Sequence, residues 1–195
     1  MLSADELIFG YMCGVFPMAD SSEENAIYWY DPQQRGIIPL DGLIISKSLG
    51  QTLRNKKFNV TMNTAFEEVI RACANRTKTW ISEEIIEAYT SLHEMGFAYS
   101  FETRNKENKL VGGLYGVAIG KAFFGESMFH TERDASKVAL VHLVRWLSQS
   151  NFLLLDTQYI TEHLKSLGGI EISREEYRKL LAAALGKAIT NDRKD

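Results

Sequence analysis

The chain has 195 residues, 45% hydrophobic and 24% charged, with a formal net charge of -3. A chain of this length buries about 70% of its unfolded surface, so disorder is excluded and a core forms without staples. The acidic balance argues against broad binding along duplex phosphates, which takes an excess of Lys and Arg; a local basic patch remains open at Arg54, Lys56 and Lys57, with Arg71, Arg76 and Lys78.

At the N-terminus, Ser3 followed by Glu6 forms a capping-box signature and Gly14 a stop, predicting a helix over residues 4–13. Asp5 and Glu6 stand where a secretory leader is basic, and no apolar run reaches the roughly 18 residues of a membrane span. A cytoplasmic protein without membrane attachment is expected. Cys13 and Cys73 show no metal-ligand or redox spacing and are expected as two buried free thiols.

VFPMADSSEENA is expected as a turn-rich connector, and IYWYDP and RGIIPL as short extended pieces, which together set residues 1–40 apart as a small subdomain from residues 41–195. Then come a polar helix from Ser46 to about Lys56, the strand KFNVTMN, a helix from Thr64 to Ala74, and a helix capped by Ser82. FAYSFETR, KLVGGLYGVAIG and AFFGESMFH predict an antiparallel meander. Asp134 is expected to cap an amphipathic helix with Val138, Val141, Leu143, Val144 and Leu147 on its apolar face, and FLLLDTQ follows as a buried strand. TEHLKSLGG as a short helix, IEIS as a strand and REEYRKLLAAALG as a helix close the chain, with TNDRKD as a frayed tail. The order is mixed α/β.

Two strands carry acids where an apolar residue is cheaper. Removing an unpaired carboxylate from water costs several kcal/mol, on the order of 5, so Glu126 in FFGESMF and Asp156 in FLLLDTQ each need a partner, either within the protein or on a ligand. Regular alternation puts Phe124, Glu126 and Met128 on one face, and Asp156 with Gln158 on another. Asp156 also suits a turn cap. The glycines of VGGLYGVAIG point to close approach of a ligand or backbone, or to a bulge. His93, His130, His142 and His163 lack ligand spacing, and no Walker, GxGxxG or nucleophile-elbow pattern occurs, so neither a metal nor a cofactor is expected.

The stretches YMCGVFPM, WYDPQQRGIIPL, CANRTKTWI, AYTSLHEMGFAYSFE, LVGGLYGVAIGKAFFGESMF, ASKVAL, LLDTQ and HLKSLGG run in order through most of the chain. With them the sequence closely resembles the bacterial leucyl/phenylalanyl-tRNA–protein transferases. The resemblance implies an acetyltransferase-superfamily-like mixed sheet flanked by helices, with a reduced N-terminal subdomain ahead of the catalytic domain. It also implies transfer of Leu or Phe from the 3′ end of its tRNA to the α-amino group of proteins beginning with Arg or Lys, marking them for degradation. HTERDAS lacks the glycines with which acetyl-CoA enzymes cradle pyrophosphate.

By the same resemblance Asp156 and Gln158 are the catalytic pair, Asp156 orienting Gln158 and polarising the amine. Glu126, beside Ser127, helps position the basic N-terminal residue. Met128, Leu114, Leu140, Leu143, Leu147 and Leu155 form the apolar pocket for the donor side chain, and Trp80 meets the terminal adenosine. The partners implied are aminoacyl-tRNA and a protein N-terminus, taken up by a monomer. Met18 stands where the family usually has Trp, and Thr157 where it usually has Cys. Two other readings stay open: a related aminoacyltransferase with different acceptors, and an inactive homologue that only binds tRNA or N-termini.

Overall fold

The computed structural model describes residues 2–20, 26–77 and 79–186; Lys78 and the tail TNDRKD lie outside them. Helix α1 (Ala4–Cys13) is set at both ends by its own sequence. Ser3 Oγ accepts from Glu6 N–H, Glu6 accepts from Ser3 N–H, and Gly14 ends the helix in the left-handed region at φ 85°. Cys13, on the last turn, is exposed rather than buried; Cys73 is buried, and burial pushes its thiol up to about 12.

Part of the expected connector is a strand. β1 (Phe16–Asp20) pairs antiparallel with β2 (Ala26–Tyr30) as a two-stranded ribbon. Alternation in FPMAD is broken by Pro17, which hides the strand from a periodicity reading; on an edge its missing N–H costs no ladder bond.

A seven-stranded sheet fills the centre in the order β4-β5-β6-β7-β8-β3-β9. Its members are β3 (Gln34–Ile37), β4 (Asn59–Met62), β5 (Ala98–Arg104), β6 (Leu110–Ile119), β7 (Ala122–His130), β8 (Leu154–Gln158) and β9 (Ile170–Ser173). All neighbours are antiparallel except β7 and β8, which α5 (Ala135–Gln149) joins as a crossover. The fold is a mixed α/β sheet flanked by helices, as the element order implies.

The two faces have separate cores. Leu7 and Tyr11 of α1, Val69 and Ile70 of α3 (Phe66–Ala74), Ile85 and Tyr89 of α4 (Glu83–Glu94) and Tyr177 of α7 (Arg174–Ala184) cluster with Tyr115, Val117 and Phe124. On the other face Leu140, Leu143 and Leu147 of α5 cluster with Phe101, Leu114, Phe123 and Leu155. Helix α2 (Lys47–Arg54) lies outside α5, and α6 (Glu162–Ser166) follows β8. Asp134 does not cap α5: its own backbone sits at φ 71°, and its carboxylate accepts from Thr52 Oγ1 at 3.1 Å and pairs with Lys137 at 3.5 Å.

The glycines of β6 serve backbone packing. A Cβ at Gly112 would stand 2.6 Å from Ala135 Cβ, and one at Gly116 only 2.3 Å from the Phe124 carbonyl oxygen. Both let neighbouring backbone come close.

Candidate active site

The site begins with a bulge. Tyr115 pairs with Ser127 while Gly116 pairs with Gly125, so Glu126 is the extra residue on β7. Alternation is therefore interrupted: Phe124 packs on the α1/α4 side and Met128 on the α5 side. Phe124, Glu126 and Met128 do not share one face. A bulge re-aims a side chain, and here it turns Met128 to the α5 side while Glu126 stays with Phe124 on the α1/α4 side, where Tyr11 donates to it at 2.6 Å and Tyr89 at 3.2 Å.

Just ahead of the bulge the strands part. Parallel pairing of β7 with β8 runs from Ala122–Leu154 to Phe124–Asp156 and stops, and β8 goes on paired with β3. A cavity of about 330 Å³ occupies the gap, and members of both cores line it. Its apolar part is made by Leu114, Met128, Leu140, Leu143 and Leu155. Glu126, Ser127 and Gln158 stand on its wall, with Met18, Arg76 and Trp80 also lining it. Leu147 does not line it; this residue is fully buried in the cluster beneath.

Asp156 lies behind this wall, not on it. It has no exposed surface, and its partner is Arg35 of β3, whose Nε donates to Oδ1 at 3.0 Å and whose Nη2 donates to Oδ2 at 2.6 Å. Tyr177 adds an O–H at 2.7 Å. Arg35 is itself 1% exposed, held between the rings of Phe16 and Tyr177, with Nη1 donating to the Gly14 carbonyl at 2.8 Å. An ion pair this deep is tolerable only when its remaining donors and acceptors are satisfied, and here they are.

The carboxylate also acts on its neighbour. Asp156 Oδ1 accepts the Gln158 backbone N–H at 2.7 Å, and Gln158 sits at φ 66°, in the left-handed region that L side chains seldom enter. Gln158 Nε2 then donates to Glu126 Oε1 at 2.9 Å. When Glu126 is ionised it can only accept, so this contact then holds the amide with its nitrogen toward Glu126 and leaves its carbonyl oxygen as the free acceptor.

Glu126 is 8% exposed and, among the described residues, has no Lys, Arg or His at ion-pair distance. Burial raises its carboxyl to about 7, against the lowering effect of the hydrogen bonds from Tyr11, Gln158 and Tyr89. Tyr115 and Thr157 contribute to the lining, but their hydroxyls, like that of Thr90 elsewhere, are closed off from it and are buried without any partner in the protein.

Sequence reading singled out neither Arg35 nor the tyrosines that hold Glu126. Arg35 precedes the apolar run GIIPL, and an arginine leading a buried strand is the signal that was there to use. Of the proposed basic patch, Arg71 is engaged by Glu67 at 2.9 Å and Glu83 at 3.1 Å, and Lys57 by Glu132 at 3.3 Å.

A family model described as leucyl/phenylalanyl-tRNA protein transferase matches residues 37–182, and one described as its N-terminal domain matches residues 1–33. The leucyl/phenylalanyl-tRNA–protein transferase of Paramagnetospirillum magneticum is 53% identical over 98% of this chain and 93% of its own length. That of Ruegeria sp. is 52% identical over 94% of this chain and 87% of its own. An acetyltransferase of the GNAT family from Staphylococcus aureus superposes on 49% of this chain and 68% of its own, at 13% identity and a TM-score of 0.39, too loosely to bear on function.

Proposed function

The chain belongs to the leucyl/phenylalanyl-tRNA protein transferase family, and we propose that it moves leucine or phenylalanine from charged tRNA onto the α-amino group of proteins beginning with Arg or Lys, a transfer that marks them for degradation. The observation that carries the residue roles is the single cavity in which an apolar pocket meets Glu126 and Gln158.

The donor is an activated ester and the acceptor an α-amine with a reference pKa near 8, so about a tenth or more is unprotonated at neutral pH. A strong base is not required; placement is. In this reading the free carbonyl oxygen of Gln158 accepts an N–H of the incoming amine and aims its lone pair at the ester carbon. Attack forms the new C–N bond, the tRNA 3′-oxygen leaves, and the amine proton passes to solvent or the departing oxygen.

Asp156 acts as a positioning residue. Sealed behind Arg35, it works by holding the Gln158 backbone. Glu126 fixes the polarity of the Gln158 amide, and its charge, unmatched by any described protein cation in contact, favours an ammonium or guanidinium in the cavity. Leu114, Met128, Leu140, Leu143 and Leu155 receive the donor side chain, the flexible Met128 adapting to either shape, and Trp80 offers a stacking face to the terminal adenosine.

The test is transfer of labelled leucine from its tRNA to peptides that differ only in their first residue. Arg- and Lys-initiated peptides should be labelled and an Ala-initiated one should not. Absence of transfer to both basic peptides refutes the reading.

A further inference from the structure

We propose that Arg76 is a phosphate-binding residue of the donor site, contacting the phosphodiester on the 5′ side of the terminal nucleoside. This rests on the transferase reading above. Among the described residues lining the cavity, Arg76 is the one that carries a guanidinium or ammonium group. Its side chain is held in place by neutral acceptors: Nε donates to the Cys73 carbonyl at 2.8 Å, and Nη2 to Ser127 Oγ at 2.7 Å and the Met128 carbonyl at 3.4 Å. Among the described residues no carboxylate pairs with it, in contrast to Arg71 five residues earlier, which has two.

The charge is thus fixed, exposed and uncompensated at the rim of a cavity whose depth is acidic. A ligand with its cationic amine near Glu126 and its anion at the rim matches that polarity. An aminoacyl ester of a 3′-terminal adenosine has this layout: the side chain enters the apolar pocket, the ester lies at Gln158, the base meets Trp80, and the first phosphate emerges beyond the sugar. Trp80 and Arg76 line the same cavity, so the two residues together offer the face for the base and the fork for the anion.

Two non-reacting donor analogues isolate the contact: 3′-leucylamido-3′-deoxyadenosine and its 5′-phosphate, with affinities measured by calorimetry. The native protein should bind the phosphate form about tenfold more tightly, as expected for a charge-assisted contact. Arg76→Met should abolish that advantage while leaving the nucleoside form unchanged, and Arg76→Lys should keep part of it. If Arg76→Met weakens both analogues equally, Arg76 only clips α3 to β7 and the proposal fails. It fails too if the native protein does not distinguish the two, or if the variant instead raises KM for the acceptor peptide. Binding of neither analogue by the native protein counts against the transferase reading itself.

Discussion

Arg35 and Asp156 form a two-pronged ion pair with 1% and 0% exposure, joined at 2.6 Å and 3.0 Å across two adjacent strands. Removing one partner leaves the other charge buried and alone, which costs about 3–5 kcal/mol, whereas removing both is often nearly neutral. Arg35→Met should therefore destabilise strongly, and Arg35→Met combined with Asp156→Leu should recover most of the loss. Transfer activity should stay low in the double variant, because the Gln158 N–H has lost its acceptor. Urea unfolding of the native, single and double variants gives the coupling; additive losses would mean that the pair is not what holds this region.

Gln158 bears two demands, a left-handed backbone and a side chain long enough to reach Glu126. Asn tolerates the backbone and fails the reach; Val fails the backbone. Gln158→Asn should lose about 1–3 kcal/mol of stability with its hydrogen bond to the buried Glu126 and lower the single-turnover transfer rate about 100-fold, the scale of a misplacement near 1 Å. Gln158→Val should lose roughly 1–2 kcal/mol of stability as well. A native rate in the Asn variant would remove Gln158 from the chemistry.

Glu126 links stability to pH in a direction opposite to that of a salt-bridged acid. Its folded value of about 7 lies above the ordinary 4.5, burial being the largest cause. Between these values the folded chain keeps a proton that the unfolded chain has released. Stability should fall as pH rises through that window, by about 3 kcal/mol in all, and level off above it. Glu126→Gln has no such proton to lose. Unfolding free energies of both proteins at steps from pH 4.5 to 8 should diverge across the window; parallel curves would show that Glu126 ionises at its ordinary value.

Helix α1 was readable to its ends because Ser3, Glu6 and Gly14 act within one turn of the residues they cap. The strands were readable as strands, but the turn of Met128 to the face opposite Phe124 and Glu126 was not. It follows from the bulge at Glu126, opposite Gly116, and a period of two counted along β7 has no access to that partner. The same limit applies to the site. The sequence marks Asp156 as an acid in need of some partner, with a turn cap as the alternative, yet the partner Arg35 is 121 positions away, and Tyr11 and Tyr89 look like ordinary members of apolar helix faces until the fold aims their hydroxyls at Glu126. Long-range polar pairing, not local propensity, is what the one-dimensional pattern left out.

Leu143 and Leu147 lie one turn apart on α5, and only Leu143 borders the cavity. Both are buried at 1% and 0%, so each truncation to Ala should cost about 2–5 kcal/mol of stability. They should separate in donor choice. Leu143→Ala opens space where the donor side chain sits, and discrimination of about 1–3 kcal/mol per methylene makes a shift of roughly tenfold toward phenylalanine attainable. Leu147→Ala leaves its void below the wall and should not change the ratio. The measurement is kcat/KM for Phe- and Leu-charged tRNA with one acceptor peptide, at a temperature where both variants are folded. An equal shift in the two variants would mean that general loosening of α5, not the shape of the pocket, sets the preference.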